Sequence, residues 1–407
     1  MERVDAVSGE LHSGNAFSIQ SCVGMLHQNK RVTREEGLKD LVAALEGFVR
    51  ADELDYQYEQ ALECCFSFLR SGSAKERKDA YRAIGIYALT VVGSKAQILL
   101  DRLFDLDRLS GMAPSSPSDA ERSVDAVNCL AAVTLVCAKK GADAKPSLKA
   151  IWEVIEETAV PRVLAAAMSA WTLLLPKASD LGSMQSPFKV IAKLLRADDS
   201  AVRMAAGEAL AVCVELNHLP NQPDPRPSYW FRGRRYGPPE PQPEDRPLLE
   251  SRAAELADGA DVAHMKERAQ ETILFRQIKD LLEANPQGDP VEAKQQGEPV
   301  EAKPQGSPCP EQSWSWSSSG CRVKVRTWAK QVQLNFLRQY FGEEGFAAHF
   351  QLNRPLFRDS LGLNRAAGGA QEEDLPPQEK KKLRNDKDKQ RTRDINKDRR
   401  NKITQYD

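Results

Sequence analysis

Residues 199–210 read DSAVRMAAGEAL, and the spacing within this stretch predicts a helix that recurs along the chain. Arg203 is followed three residues later by the small Ala206 and seven residues later by the apolar Leu210. The same arrangement recurs at Arg34, Gly37 and Leu41, at Arg77, Ala80 and Ile84, and, shifted by one residue, at Arg122, Ala126 and Leu130. Such spacings place side chains on one helix face. We therefore predict a recurring helix whose small residue lets a neighbour approach and whose apolar residue faces a shared core.

A further helix accompanies each copy of this pattern. Apolar residues recur at intervals of three and four from about residue 17 to residue 216, and candidate first helices begin near Phe17, Leu54, Lys95, Lys145 and Ser186. These starts lie 37, 41, 50 and 41 residues apart. A period of about 40 residues with two helices per unit is typical of HEAT and armadillo arrays, whose units must stack to bury their apolar faces. Turn residues agree: Asp198-Asp199-Ser200 offers N-cap oxygens just before Val202, and Ser71-Gly72-Ser73 ends one helix and starts the next.

Composition divides the rest of the chain. Pro220 to Pro247 contains nine prolines, too many for a helix, and the tandem repeat GDPVEAKQQ and GEPVEAKPQ over 288–305 is too polar to fold alone. After it, Trp328 opens an apolar helical stripe that ends at Gly342, followed by a shorter helix. The predicted organisation is a flexible N-terminus (1–15), HEAT/armadillo-like repeats (16–218), a Pro-rich linker (219–247), a helical segment able to pack on the solenoid (248–285), a low-complexity linker (286–319), a C-terminal helical domain (320–363) and a flexible basic tail (364–407).

The predicted fold class is accordingly all-α: an armadillo/HEAT-like α-solenoid with a small helical C-terminal domain and disordered linkers and tail. We interpret the aromatic stripe that begins at Trp328 as core rather than as a platform for stacking bases.

The tail is the strongest functional signal. Twelve Lys or Arg stand against four Asp between Lys380 and Lys402, a net charge of +8 over 23 residues in a chain whose total is −1. Such a segment binds phosphates with release of counterions and without sequence specificity. The alternative is a solvated terminus that only keeps the protein soluble. The candidate RNA-binding residues are Lys380, Lys381, Lys382, Arg384, Lys387, Lys389, Arg391, Arg393, Lys397, Arg399, Arg400 and Lys402.

A second candidate lies within the Pro-rich linker, where three arginines and four aromatic residues occur together over residues 229–236. This combination stacks and clamps single-stranded RNA. Equally, the aromatic side chains could pin the linker onto the solenoid, and the sequence leaves both interpretations open. The residues are Tyr229, Trp230, Arg232, Arg234, Arg235 and Tyr236.

Enzyme chemistry finds no support in the sequence. The five histidines are scattered, with no HExxH, GxSxG or phosphate-binding glycine loop, and Cys309 and Cys321 lack two further zinc ligands nearby. No apolar run approaches the roughly 18 residues of a membrane span, and residues 1–15 do not resemble a signal peptide. We expect no catalytic residue, metal, cofactor, small-molecule substrate or membrane contact, and a reducing compartment.

The order of these parts resembles the interferon-related developmental regulator family. Three stretches carry the resemblance: DSAVRMAAGE at 199–208; Trp328-Ala329, the helix end at 336–342 and LFRDSLGL at 356–363; and the basic end with RTR at 391–393 and RR at 399–400. The Pro-rich insert and the nine-residue repeat depart from that pattern. The resemblance implies an armadillo-like fold without catalysis and two associated functions. One is binding to inactive ribosomes, through ribosomal RNA and proteins, with repression of translation. The other is transcriptional co-regulation through nuclear protein partners.

From the residues and the resemblance together we favour a ribosome-binding translation repressor. The tail would contact ribosomal RNA, residues 328–363 would position the tail, and the solenoid would dock against the subunits. The expected location is the cytoplasm, with the nucleus as the location of the alternative co-regulator, for which the basic tail would act as a localisation signal.

Overall fold

The computed structural model describes residues 18–50, 54, 56–105, 119–137, 141–178, 187–216, 218, 230–231, 234–235, 245–258, 266–284, 312–316, 321–325 and 327–362. Twelve of the helices in this part form six consecutive pairs. They are α1 (Ile19–Leu26) with α2 (Arg31–Glu46), α3 (Tyr56–Ser71) with α4 (Ala74–Val91), α5 (Ser94–Asp105) with α6 (Ala120–Cys137), α7 (Gly141–Glu157) with α8 (Pro161–Leu174), α9 (Pro187–Leu194) with α10 (Ser200–Glu215), and α11 (Asp245–Asp258) with α12 (Lys266–Ala284).

The second helices of the pairs pack against one another in chain order, from α2 to α12. Small residues permit this packing at the predicted positions: Ala80 and Ala206 are completely buried. At Gly37 the close neighbour is instead the first helix of the same pair, because an added Cβ would lie 3.0 Å from the Cβ of Met25 on α1. The five predicted first helices begin within four residues of their expected positions, with the largest difference at α7. The predicted all-α solenoid is confirmed.

The recurring arginine joins one pair to the next. Arg34 and Arg203 each donate to two backbone carbonyls in the turn before their own helix and to a glutamate on the second helix of the following pair. The partners are Gln28, Asn29 and Glu76 for Arg34, and Ala197, Asp198 and Glu271 for Arg203. Because the side chains of Glu76 and Glu271 are at most 8% exposed, these charge-assisted bonds operate in a site with little water.

Two of the helix starts follow the predicted capping chemistry. Ser73 and Glu76 form a reciprocal capping box at the start of α4, and the carboxylate of Asp199 accepts from the backbone N–H of Val202 at the start of α10. Both satisfy backbone donors that a helix N-terminus otherwise leaves unpaired.

Helix α13 (Trp328–Leu352) and the turn at Pro355–Ser360 complete the helical part. Gly342, with φ +74°, interrupts α13 where the sequence predicted a helix end. The predicted C-terminal helical domain over 320–363 stays a prediction; Val325–Leu363 shares one compact unit with the solenoid helices. An apolar stripe predicts that a helix is buried but not which surface buries it, and here the partners are α2, α8 and α10.

Two small two-stranded sheets were not predicted. β1 (Trp230–Phe231) pairs with β2 (Arg234–Arg235) within the stretch assigned as a Pro-rich linker. β3 (Gln312–Trp316) pairs with β4 (Cys321–Val325), and β3 lies within the stretch assigned as low-complexity linker. The alternation of Trp with Ser in QSWSW, and of Val with polar residues in CRVKV, is the period-2 signal of a strand.

Candidate functional site: the docked C-terminal helix

One end of α13 is fixed by a carboxylate. Glu215, the last residue of α10, accepts from the backbone N–H groups of Trp328 and Ala329, each at 2.8 Å. A carboxylate at a helix N-terminus satisfies unpaired donors and complements the helix dipole. Burial raises the pKa of Glu215, and these two bonds together with Lys330 oppose the shift. The contact therefore ties the C-terminal segment to the fifth helix pair.

The other end of this segment caps helices of the first two pairs. His349 Nε2 lies 2.9 Å from the carbonyl oxygen of Leu45, in the last turn of α2, so the neutral imidazole carries its hydrogen on Nε2. Asn353 donates to the carbonyl of Leu89, in the last turn of α4, at 2.9 Å. Both side chains are completely buried. Because final carbonyls of a helix lack partners within it, Asn353 supplies a donor to Leu89. His349 adds a second donor to the carbonyl of Leu45, which also accepts from the backbone N–H of Phe48.

Between these ends the packing depends on one glycine. Tyr340 of α13 lies over Gly85 of α4, and a Cβ at Gly85 would meet its phenol oxygen directly. The Tyr340 hydroxyl donates to the carbonyl of Tyr81 at 3.4 Å. The C-terminal helix therefore contacts the first, second, fourth and fifth pairs, and its seat on α4 requires a residue without a side chain.

Aromatic side chains close the fold of this segment on itself. The rings of Phe341 and His349 stack at 4.0 Å across the Gly342 break, and Phe357 meets the edge or face of both Phe346 and Phe350. With Trp328 1% exposed, the prediction that this stripe is core rather than a base-stacking platform is confirmed.

A group of charged residues from three second helices lies beside the docked segment. Burial raises the pKa of Asp125 on α6 to about 6, with Lys78 and Arg162 opposing the shift and Glu121 and Asp79 reinforcing it. Burial raises the pKa of Tyr340, and the charge of Asp125 contributes to that rise. The surface next to α13 is therefore mixed in charge and does not form a uniformly basic platform for phosphates.

The sequence-predicted contact residues fall largely outside the described part of the chain. All twelve basic residues from Lys380 to Lys402 lie outside it, so their role stays a prediction. Of the Arg/aromatic patch, Tyr229, Arg232 and Tyr236 also lie outside it. For Trp230, Arg234 and Arg235 the structure gives the backbone pairing of β1 with β2, in which Trp230 is opposite Arg235. Whether this patch meets RNA or the solenoid stays open.

The sequence did not point to Glu215, Gly85 and His349, the residues that hold α13 on the solenoid.

No group of three or more metal-binding side chains occurs in the described ranges, and no helix there is long and apolar enough to cross a membrane. Burial raises the pKa of the Cys22 and Cys213 thiols to about 12, which keeps both thiols protonated and poorly nucleophilic.

The buried His349 makes stability pH-dependent. Burial lowers its pKa to about 4, against the contact with Leu45, while an unfolded histidine titrates near pH 6.5. The unfolded chain therefore gains a proton first as the pH falls, and stability is lost from about pH 6.5 down to about pH 4 at up to roughly 1.4 kcal/mol per pH unit. Asp125 and Glu208, whose pKa values burial raises to about 6 and about 7, contribute in the opposite direction.

Because these contributions overlap, the test compares two proteins. The unfolding free energies of the wild type and of His349→Gln are measured by urea denaturation from pH 7 to pH 4. The wild-type value minus the variant value should fall by about 3 kcal/mol over this range. Parallel pH profiles for the two proteins would show that His349 is not held neutral in the folded chain.

Three comparisons with known proteins bear on identity. The family model described as "Interferon-related developmental regulator (IFRD)" matches residues 6–283. No curated protein gives a significant match.

Solved structures with similar helical repeats include a designed armadillo repeat protein, 15% identical, covering 64% of this chain and 100% of its own, at a TM-score of 0.38. A HEAT-like repeat protein from Thermococcus onnurineus is 14% identical and covers 64% of this chain and 88% of its own, at a TM-score of 0.41. Because these TM-scores are below 0.5, we assign the fold class from the helix pairs of this chain and not from the similar structures.

Proposed function

Because the chain belongs to the interferon-related developmental regulator family, we propose that it is a non-enzymatic helical-repeat adaptor that binds ribosomes and represses translation. The observation that carries this proposal is the docking of α13. It contacts α2, α8 and α10 and caps the last turns of α2 and α4, so the solenoid already holds its own C-terminal segment. We assign the contact with another molecule to the basic segment 380–402, which follows in the chain.

The docked segment precedes the tail in the chain. Lys330 donates to the carbonyl of Leu361, and Leu356 and Phe357 are buried, so the docked segment reaches Leu361. We propose that the solenoid docks on the partner and that the basic run from Lys380 to Lys402 contacts the same partner. This arrangement favours a large assembly that offers both protein surfaces and RNA.

The charge of the tail favours RNA as the contact. With +8 over 23 residues, the segment between Lys380 and Lys402 can neutralise several phosphates. Release of the counterions from those phosphates supplies the free energy, so binding should weaken steeply with salt and depend little on residue order. Segments of this composition order themselves on contact, which suits a narrow passage lined by ribosomal RNA.

The test is sedimentation of a cell lysate on a sucrose gradient at low salt. The intact chain should travel with monosomes, and replacing all twelve Lys and Arg of the tail by glutamine should move it to the top. A matched control keeps the tail composition and scrambles the order of residues 380–402, and it should still sediment with monosomes. If the intact protein stays at the top of the gradient, the proposal is lost.

The same basic run supports a second candidate, a nuclear transcriptional co-regulator that works as a protein–protein adaptor. The consecutive Lys380, Lys381 and Lys382 fit a nuclear localisation signal. On that function the glutamine variant leaves the nucleus, while the wild type never sediments with ribosomes. Imaging the two proteins beside the gradient separates the candidates.

A further inference from the structure

A groove of about 720 Å³ lies on the first-helix side of the last three pairs. Its floor is aliphatic, formed by Ile155 of α7, Leu164 of α8, Val190 and Leu194 of α9, and Leu248 of α11. Leu248 is 39% exposed, a high value for a leucine within a packed helix pair. The groove therefore offers apolar surface that the solenoid itself does not cover.

Cations border this floor. Lys189 and Lys193 are four residues apart on α9, so their side chains lie on one helix face, and Arg196 follows at the end of that helix. None of the three forms an ion pair with a described residue. Lysines and arginines on the neighbouring helices do: Lys149 pairs with Glu153, and Arg252 with Glu255.

The acidic lining residue is already engaged. The carboxylate of Glu156 accepts from the indole N–H of Trp152 at 2.8 Å, which orients it along its own helix. Three unpaired cations thus outnumber one occupied carboxylate around an aliphatic floor.

We propose that this groove is a docking site for an acidic peptide segment of a partner protein, with carboxylates on Lys189, Lys193 and Arg196 and aliphatic side chains on the floor. Charge complementarity selects the acidic residues, and the uncovered floor selects the apolar ones. A nucleic acid fits less well, because the described residues that line the groove include no aromatic ring on which a base could stack.

The test uses the full-length chain with its tail lysines and arginines replaced by glutamine, so that the tail cannot capture the probe. The probe is a fluorescein-labelled peptide of sequence DELLEDLLEE, followed by fluorescence anisotropy. Binding is expected, and Lys189→Glu combined with Lys193→Glu should weaken it by about tenfold or more, because two attractive contacts become repulsive. Lys39→Glu, an exposed lysine on α2, should change the affinity less than twofold.

Further probes separate the other possible occupants. The peptide KKLLKKLLKK, with the same leucine spacing and reversed charge, should not bind, and a twelve-nucleotide uridine RNA should not compete. Leu248→Asp should also weaken the acidic peptide without lowering the melting temperature appreciably. Equal binding by the lysine double variant, or displacement by the RNA, overturns the proposal. Neither result bears on the ribosome gradient, since both are measured on a chain whose tail has lost its lysines and arginines.

Discussion

Replacing Trp328 by alanine is expected to lower the free energy of unfolding by about 3–5 kcal/mol, the usual cost of removing a buried aromatic side chain. Trp328 is 1% exposed and opens α13 directly against Glu215 of α10. The lost indole would leave a cavity at the junction between the C-terminal segment and the fifth helix pair. The measurement is urea denaturation followed by circular dichroism.

Two companion variants sharpen this result. Leu352→Ala lies at the far end of the same helix on a side chain that is 58% exposed, so it should cost less than about 0.5 kcal/mol. Trp328→Phe should cost less than about 1.5 kcal/mol, since the indole N–H has no acceptor among the described residues and its removal relieves a buried unpaired donor. If Trp328→Ala and Leu352→Ala are equally mild, α13 does not dock on the solenoid in solution.

The helix pairs were predictable from the sequence because their signals are local. Three- and four-residue periodicity marks the helices, and capping residues such as Ser73 and Asp199 mark two of their starts. The recurring Arg203 pattern was visible too, but its purpose was not. Its partner Glu271 is 68 residues away in the chain, and no periodicity points to it.

The seat of α13 could not be predicted for the same reason. Glu215 looks like an ordinary acidic residue at a helix end until the N-terminus of α13 is placed on it. Gly85 resembles the other small residues that let second helices pack together, although its neighbour is Tyr340 from 255 positions further along. The sequence pattern predicts that a helix face is buried, whereas the surface that buries it depends on the completed fold.

For the tail, the sequence is more informative than the fold. Its charge is a property of composition alone, so the sequence states it fully, and folding adds no information about its chemistry. What the fold contributes is the docking of the segment that precedes the tail, as far as Leu361. The proposed ribosome contact therefore joins a compositional argument to a structural one.

Gly85→Ala is the second substitution with a large expected effect on the free energy of unfolding, and one contact determines whether it stabilises or destabilises the protein. Alanine is favoured over glycine inside a helix by about 1 kcal/mol, so this substitution would normally stabilise α4. Here the new methyl group meets the phenol of Tyr340, and overpacking of this kind costs about 1–3 kcal/mol or more. We expect Gly85→Ala to destabilise the wild type and to stabilise a Tyr340→Ala background, where the clashing ring is gone.

The reference for this cycle is Gly24→Ala in α1, where an added Cβ meets nothing within 4 Å and only the gain in helix propensity applies. A double-mutant cycle on Gly85 and Tyr340, measured by urea denaturation, should therefore give a coupling energy of about 2 kcal/mol or more. Coupling near zero would mean that Tyr340 does not lie on α4. The reversal of sign is more informative than the size of the coupling energy. A general loss of packing would lower stability in both backgrounds. Only direct contact between the two residues makes Gly85→Ala destabilising in the wild type and stabilising in the Tyr340→Ala background.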